Sequence, residues 1–456
     1  MPYAAGKRFE RASPLGHVPT ISHPLVQERL GHYRRPASRA ENVSAIKDLL
    51  VDPKSLLPAA FDAEYVMAVD GSPFEHEIDP AFPSTRSLFL QVAGVLVDLQ
   101  LLRERRGPFA DPSMVADAQE ASVFAGFLPS SNLVATSGVL PVHAFREELH
   151  LLFTETTAGE RPLMETFFDV EAERSPANVG PGLVSVAVCP NRDCAAEIKA
   201  VGIRSDGGSC PNCSTWIYPT DALRIHEAFR PYGSNLEAAG RVMTVAEHLT
   251  YLAFLLHVFE KQRATLKHIA FITDGPLAIF GEPASLRFPF LRLLQTRSAQ
   301  MTADGHSPPL ILGVEKTGEF VEHAAAIRQH IPLGTLMKLP SDYISDHIRY
   351  RDAPYGTETY YGRKFIYRTG DDRMLVLTVP PLAAVGTLAY TKTDTLDLND
   401  YPTLRASCEL LDKIGTRLFD DALIPIALAH HWAAFPLRTA GKVLKLHVER
   451  HLGVDS

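Results

Sequence analysis

The stretch YVMAVDGSPFEH, residues 65–76, brings an apolar run to an end on Asp70, which a glycine and a serine follow. Asp and Gly are common where strands end because both suit turns, so a turn alone accounts for this aspartate. The alternative is an acid held at the end of a buried strand to bind a metal ion. We interpret Glu75, His76 and Glu77 as loop residues. The stretch by itself does not separate the two interpretations.

Three further apolar runs have the length and borders of buried strands: SLFLQVAGVLVDL at 87–99, HIAFIT at 268–273 and PLILGVE at 309–315. A long helix opens at GSN and precedes the second of these runs. It carries apolar residues at helical spacing, namely Val242, Val245, Leu249, Leu252, Leu256 and Phe259. Strands followed by helices predict an α/β or mixed domain.

Length and composition limit the class of protein. A chain of 456 residues exceeds one ordinary core, and 46% hydrophobic with 21% charged residues describes a soluble globular protein. The net charge of −8 argues against a protein that coats nucleic acid, but it allows a nuclease whose metal ions supply the positive field. No apolar run approaches the roughly 20 residues that span a bilayer, and the start lacks a signal-peptide segment. We expect a cytoplasmic protein without a membrane partner.

Four of the five cysteines lie close together as two pairs, Cys189 with Cys194 and Cys210 with Cys213. Two such pairs give Zn²⁺ the four-thiolate tetrahedral shell that it favours, with no position left for water. The segment therefore predicts a structural zinc ribbon. Its charge is balanced, which favours a structural or protein-contact role over DNA binding. The remaining Cys408 is interpreted as a buried thiol.

A second apolar run ends like the first: MAVDGS finishes at Asp70 and FITDGP at Asp274. If the two strands are neighbours, their carboxylates emerge at the same edge of the sheet. Mg²⁺ and Mn²⁺ prefer carboxylate oxygens, which suits phosphodiester hydrolysis. Further candidates are a third acid on the preceding helix, a lysine in a turn after a strand, and two histidines in a late apolar stretch: Glu237, Glu247 or Glu260, then Lys316, then His430 or His431.

A basic and aromatic run around residues 347–364 suits contact with a single nucleic-acid strand, and an ordinary solvated hairpin accounts for it equally well. Its candidate DNA-binding residues are Arg349, Arg351, Tyr360, Tyr361, Arg363 and Lys364. The sequence YYGRKFIYRTGDDRMLVLTVP also predicts a β-hairpin around a Thr-Gly-Asp-Asp turn.

The order AVDGS, helix glutamate, ITDGPL, GVEKTG and LAHHWA resembles the NurA nucleases, which work with the HerA hexameric ATPase on DNA ends. The resemblance implies an RNase H-like core, a homodimer, and Mn²⁺-dependent cleavage of single-stranded DNA and of duplex ends, 5′ to 3′. By matching positions, the site residues are Asp70, Glu247, Asp274, Lys316 and His430. The ribbon is not general in these nucleases, and its role is not inherited.

We predict four segments: an N-terminal arm at 1–60, a first nuclease part at 61–185, a zinc-ribbon insertion at 186–220 and a second nuclease part at 221–456. The function expected is a Mn²⁺- or Mg²⁺-dependent deoxyribonuclease in DNA end repair or in defence against foreign DNA. Two alternatives are an inactive scaffold that binds partners through its ribbon and an RNase H-like enzyme acting on RNA or damaged DNA.

Overall fold

A mixed β-sheet with helices packed on both faces forms the centre of the chain. A computed structural model describes residues 15–33, 46–58, 61–79, 81–104, 119–174, 182–194, 201–349, 354–393, 396–415, 423–435 and 440–453. The predicted α/β class, with a mixed sheet flanked by helices, is confirmed.

The strands of the main sheet are β1 (Leu50–Val51), β2 (Tyr65–Asp79), β3 (Phe82–Asp98), β4 (Gln119–Pro129), β11 (Ile269–Asp274), β12 (Leu310–Glu315), β13 (Thr335–Lys338), β14 (Arg363–Arg368) and β15 (Met374–Val379). Within the described residues they form a sheet in the order β1-β13-β14-β15-β12-β11-β2-β3-β4. Three two-stranded pairs stand apart: β5 (Thr157–Ala158) with β6 (Arg161–Pro162), β7 (Val184–Val186) with β8 (Val201–Ile203), and β9 (Gly208–Ser209) with β10 (Trp216–Ile217).

The α-helices in the described parts of the chain are α1 (Val18–Ile21), α2 (Pro24–Leu30), α3 (Leu99–Glu104), α4 (Pro141–Glu155), α5 (Leu163–Ala172), α6 (Leu236–Gln262), α7 (Arg287–Ala303), α8 (Glu319–Ile327), α9 (Ser341–His347), α10 (Leu404–Ile414), α11 (Ile424–Ala433) and α12 (Ala440–His451). Helices α4 to α7 pack on one face of the central strands, and α10 and α11 pack on the other. Both faces of the sheet are therefore buried, which explains why its strands are continuous apolar runs.

Five neighbouring strands of the sheet, in the order β4-β3-β2-β11-β12, include the two that contain Asp70 and Asp274. Strands β2, β3 and β4 are antiparallel neighbours, whereas β11 runs parallel to β2 and β12 runs parallel to β11. Parallel neighbours need a crossover, and the chain supplies α6 before β11 and α7 before β12. This topology brings the carboxyl end of β11 beside the middle of β2.

The prediction that the first strand ends at Asp70 is wrong. Strand β2 continues to Asp79 and pairs with β3 on both sides of Asp70, which lies opposite Ala93. Residues 75–77, interpreted as a loop, belong to this strand. The long antiparallel partner provides hydrogen bonds for the backbone beyond Asp70, so the Asp-Gly pair does not end the strand. What ends near this point is the pairing with β11, whose last partners are Thr273 and Val69.

Helix α6 is the buried crossover of the core. All six apolar residues predicted to form its stripe are buried. The segment Leu236–His268 is long and apolar enough to cross a membrane by length and composition only, but 72% of its apolar window is buried inside the protein. We interpret it as a core helix, because such helices pass the same test.

The remaining predictions of organisation have mixed outcomes. The hairpin around Thr369–Asp372 is present as β14 and β15, which are antiparallel neighbours. Cys408 is buried, and burial raises the pKa of its thiol. The sequence RAENVSAIKDLL, residues 39–50, predicts a helix in the N-terminal arm, and most of it lies outside the described residues. The boundaries of the four segments stay predictions.

Candidate active site

Five side chains predicted from the sequence meet where the parallel pairing of β11 with β2 ends. Oxygens of Asp70 and Asp274 and a ring nitrogen of His430 all lie within 4.8 Å of one another. Ligands of open α/β sheets bind beyond the carboxyl ends of parallel strands, and Asp274 is the last residue of such a strand. The topology thus places the acids where a site is expected.

Asp70 is buried and makes two hydrogen bonds through different oxygens. Its Oδ1 accepts from the Gly71 amide at 2.9 Å, and its Oδ2 lies 2.8 Å from Nδ1 of His430. Burial and the neighbouring Asp274 raise the pKa of the Asp70 carboxyl, while His430 and the Gly71 amide oppose that rise. A cation bound here would therefore relieve an electrostatic cost.

Glu247 is the helix glutamate that reaches the site. It is buried on α6, and a β-carbon on Gly71 would stand only 2.7 Å from its Oε1, so the glutamate packs directly on the strand. Burial, followed by Asp70 and Asp274, raises the pKa of the Glu247 carboxyl well above its ordinary value. The exposed alternatives form ion pairs elsewhere, Glu237 with Arg230 and Arg241, and Glu260 with Arg161.

Lys316 and His430 supply the basic groups of the site. Lys316 follows β12, and its Nζ donates to Oδ2 of Asp274 at 2.8 Å. His430 lies on α11 and is 65% exposed although it contacts Asp70. The adjacent His431 is exposed, and its ring contacts that of Trp432. Of the two histidines, the structure thus brings His430 to the acids.

The donor set fits a hard divalent cation. Three carboxylates and one imidazole converge, while Lys316 is the neighbouring cation bonded to Asp274. Carboxylate oxygens with an imidazole nitrogen are donors suited to Mn²⁺, and carboxylates alone suit Mg²⁺. Burial, and after it the neighbouring carboxylates, raise the pKa of Asp70 and of Glu247.

Sequence reasoning missed how α6 is held over β2. The buried Glu75 carboxylate accepts from the Ser130 hydroxyl at 2.6 Å and from the Asn235 amide at 2.8 Å. Asn235 directly precedes α6, so this bond ties the start of the helix to the strand that carries Asp70. The sequence could have indicated this role only through a strand predicted to continue past Asp70, since Glu75 then lies within that strand.

The four clustered cysteines form a second candidate metal site. Their sulfurs lie within 4.8 Å of one another, with Cys189 and Cys213 at 3.6 Å and Cys194 and Cys210 at 3.9 Å. A tetrahedron with zinc–sulfur bonds of 2.3 Å has edges of about 3.8 Å, so the spacing fits a four-thiolate shell. Strands β7 to β10 flank the cysteines, and all five cysteines of the chain are free.

Three of the predicted DNA-binding residues are buried, and their assignment is wrong. Tyr361 bonds to Tyr251 inside the core, at 2.8 Å between the hydroxyls. Arg363 donates to the carbonyls of Leu339 and Ala389, and Lys364 donates to Glu315 beneath the ring of Phe320. Because β14 is an interior strand of the sheet, these cations stabilise the fold and do not reach a ligand.

The other three candidate DNA-binding residues are Tyr360, Arg349 and Arg351. Tyr360 is half-buried and accepts from the hydroxyl of Tyr355. Arg349 is partly exposed and pairs with Glu319. Arg351 lies outside the described residues. Contact of Arg349 and Tyr360 with DNA stays a prediction.

The contact of Gly71 with Glu247 predicts that a methyl group added at position 71 weakens metal binding. Gly71→Ala should displace Glu247 and Met243, since the new carbon would stand 2.7 Å from atoms of both. We expect Mn²⁺ affinity, measured by calorimetry, to fall about tenfold or more. Gly240→Ala is the matched control, because a β-carbon there meets nothing within 4 Å. It should keep the affinity and stabilise α6 by about 0.5–1 kcal/mol. Equal Mn²⁺ binding by both variants would contradict the assignment of Glu247.

Comparison with solved structures finds NurA nucleases. The NurA nuclease from Sulfolobus solfataricus is similar over 97% of this chain and 99% of its own, with 10% identity and a TM-score of 0.35. A NurA structure with manganese is similar over 94% of this chain and 98% of its own, with 10% identity and a TM-score of 0.21. A NurA structure bound to dAMP and manganese is similar over 94% of this chain and 95% of its own, with 12% identity and a TM-score of 0.23. No family model and no curated protein sequence matches. The TM-scores are below 0.5, so the function proposed below rests on the side chains of this chain.

Proposed function

We propose that this protein is a divalent-metal-dependent deoxyribonuclease. The observation that carries the proposal is the convergence of Asp70, Glu247 and Asp274 at the end of the parallel pairing. These acids come from β2, α6 and β11, which are distant in sequence, and two of them, Asp70 and Glu247, are buried. An arrangement of this kind suits cation binding better than it suits stability, because like charges in a core oppose folding.

Each residue of the site has a role that follows from its contacts. Asp70, Glu247 and Asp274 would hold one or two Mn²⁺ or Mg²⁺ ions. When bound, such ions supply Lewis-acid stabilisation of the phosphate charge and a water of lowered pKa. Lys316, held by Asp274, places an ammonium beside the acids, where it offsets phosphate charge.

His430 is the candidate for proton transfer. Its Nδ1 is engaged by Asp70, which leaves Nε2 as the nitrogen that exchanges protons with substrate. The ring is largely exposed, so Nε2 is accessible to a substrate. In phosphodiester hydrolysis that proton would go to the departing 3′ oxygen.

The substrate and partners follow from the resemblance of the motifs. We propose cleavage of single-stranded DNA, both internally and from 5′ ends, and cleavage at duplex ends. The protein would act in the cytoplasm as a homodimer with a HerA-type hexameric ATPase. The chain contains no Gly-x-x-x-x-Gly-Lys-Ser/Thr loop, so ATP-driven movement along DNA would come from that partner. The process served would be DNA end resection in repair, or defence against foreign DNA.

We also propose that Cys189, Cys194, Cys210 and Cys213 hold a structural Zn²⁺. The sulfur spacing supports a closed shell, and the small core around it consists of Val186, Ile203 and Ile217 with two of the cysteines. So small a core needs the metal for stability. Arg146 of α4 donates to the carbonyl of Trp216 inside the segment and forms a buried ion pair with Asp221 directly after it, which fixes the ribbon to α4.

The nuclease assignment is tested by Asp70→Asn. This change keeps the size of the side chain and removes the charge, so cleavage of end-labelled single-stranded DNA with Mn²⁺ should fall about a thousandfold or more. Asp372→Asn, in the exposed turn between β14 and β15, is the matched control and should cleave normally. Cleavage retained by Asp70→Asn, with normal circular dichroism, would remove Asp70 from the site.

The two adjacent histidines allow a second matched comparison. His430→Gln should lower the cleavage rate about ten- to a hundredfold, because it removes the imidazole that contacts Asp70. His431→Gln should leave the rate unchanged, since its ring lies toward Trp432. Rates from initial velocities with saturating Mn²⁺ distinguish the two variants. A larger loss of cleavage rate in His431→Gln than in His430→Gln would identify His431 as the histidine of the site.

The zinc proposal predicts one equivalent of zinc in the purified protein, measured by elemental analysis. Cys210→Ser should lose that zinc and unfold at a lower temperature, because the ribbon depends on the metal for its stability. Cys408→Ala removes a thiol that lies outside the cluster and should keep the zinc. A zinc-free wild-type protein, or full zinc content in Cys210→Ser, would contradict the assignment.

A further inference from the structure

Strand β4 is one edge of the main sheet, and its outer side is open in the described part of the chain. β4 ends the strand order and pairs with β3 in continuous register from Gln119 to Pro129. No hydrogen bond from the described residues reaches its outer side. In an antiparallel pair, every second residue directs its amide and carbonyl away from the partner strand. The outer edge of β4 therefore offers a row of backbone donors and acceptors to another chain.

This edge lacks the features that keep strand edges from pairing. Edge strands are commonly protected by charged residues, by proline or by a bulge. Residues 121–127 contain no charged residue and no proline, and their register with β3 shows no bulge. Five of these seven residues are exposed: Ala121, Ser122, Val123, Ala125 and Phe127. A long, uncharged and exposed edge is a surface to which a further strand can be added.

A groove of about 500 Å³ lies beside this edge. One wall consists of residues 122–127 of β4, and the other consists of the last turns of α4 with Thr156 and Thr157 after the helix. Helix α4 packs directly on the strand at Gly126, where a β-carbon would stand 2.6 Å from Leu152. The edge strand and the helix thus border one groove. A peptide that pairs with β4 there would place alternate side chains against α4.

The wall formed by α4 is apolar at its centre and acidic at both ends. Four of its residues line the groove and are three or four positions apart, which places them along one side of the helix: Glu148, Leu151, Leu152 and Glu155. Burial, followed by Glu147 and Glu155, raises the pKa of the Glu148 carboxyl. Among the described residues, no arginine, lysine or histidine lines the groove. The charge of the groove is therefore negative, and a basic side chain would complement it.

We propose that this groove, between residues 122–127 of β4 and the side of α4 that carries Glu148 and Glu155, binds an extended basic segment of a partner protein as an added β-strand. The inference goes beyond the proposed nuclease function and does not depend on it. The backbone of the segment would pair with β4, and its basic side chains would pair with the two glutamates. Main-chain bonds supply affinity for any extended chain, while the acids select a basic one.

The spacing of the acids predicts the sequence pattern of the segment. Glu148 and Glu155 are seven residues apart on α4, which is about 10.5 Å at about 1.5 Å per residue. Side chains on one face of a strand are two residues apart, and a separation of four residues is about 13 Å. Lysine and arginine side chains are long and flexible enough to cover the difference. We therefore expect the order basic-x-apolar-x-basic, with the apolar residue against Leu151.

The charge of the groove favours a basic partner over DNA and over a second copy of this chain. The phosphates of DNA would be repelled by Glu148 and Glu155. If two copies paired through β4 about a twofold axis, their α4 helices would lie on the same face of the joined sheet. Their glutamates would then face each other, and like charges would oppose the contact.

The test measures the binding of three fluorescent peptides to the full-length protein by anisotropy. The first has the core Lys-Thr-Val-Thr-Lys, the second has glutamate in place of both lysines, and the third is the lysine peptide N-methylated at its three central residues. We expect the lysine peptide to bind about tenfold or more tightly than either of the others, because N-methylation removes backbone donors and glutamate is repelled by the groove. If either of the other peptides binds as tightly as the lysine peptide, the inference is overturned.

Glu155→Lys reverses the charge at one end of the groove, and Glu409→Lys is the matched control. Glu409 is an exposed glutamate on α10, which packs on the opposite face of the sheet. Glu155→Lys should weaken binding of the lysine peptide about fivefold or more and strengthen binding of the glutamate peptide, a reversal that misfolding does not produce. Glu409→Lys should leave both affinities unchanged.

Two results with these proteins would contradict the proposal. The first is wild-type affinity of Glu155→Lys for both peptides, since the acid would then take no part in binding. The second is dissociation of a dimer by the lysine peptide in light scattering, which would assign the groove to contact between two copies of this chain.

Discussion

The packing of Glu247 on Gly71 is the contact on which the site depends. It brings a third carboxylate to Asp70 and Asp274 in the interior of the protein, where like charges repel strongly. The pKa values of Asp70 and Glu247 are raised, so the folded protein binds their protons more tightly than the unfolded chain does. The burial of these carboxylates, together with their repulsion, therefore destabilises the fold as the pH rises above the ordinary range of carboxyl groups. A bound cation removes this cost, which couples metal binding to stability.

The fold holds these acids together with rigid elements. Asp70 lies inside a strand that is paired on one side with β3 and, up to Val69, on the other with β11. Glu247 lies on a helix whose start is bonded to Glu75 of that same strand. Since strand and helix are joined at this bond, the separation of Asp70 and Glu247 does not depend on a loop. Such support is what a preorganised site requires.

Much of the core and most of the site could be predicted because they depend on local patterns. The apolar stripe of α6, the hairpin of β14 and β15 and the acids after apolar runs are all visible in short windows of sequence. The extension of β2 beyond Asp70 was not visible, since it depends on the pairing with β3. Lys364 was misassigned for a similar reason: its burial follows from the place of β14 in the interior of the sheet, which no local pattern encodes.

Helix α11 holds the histidine of the candidate site against the sheet. It is fixed to the sheet at two points, through His430 to Asp70 and through the Trp432 carbonyl to Gln91. Two residues on a helix are about 200° apart, so the side chain of Trp432 is directed away from the side on which His430 meets the acid. One short helix therefore presents the imidazole of His430 to the acids, while its own end is held on β3. Because the position of His430 depends on this docking of α11, a shift of the helix would separate the imidazole from Asp70.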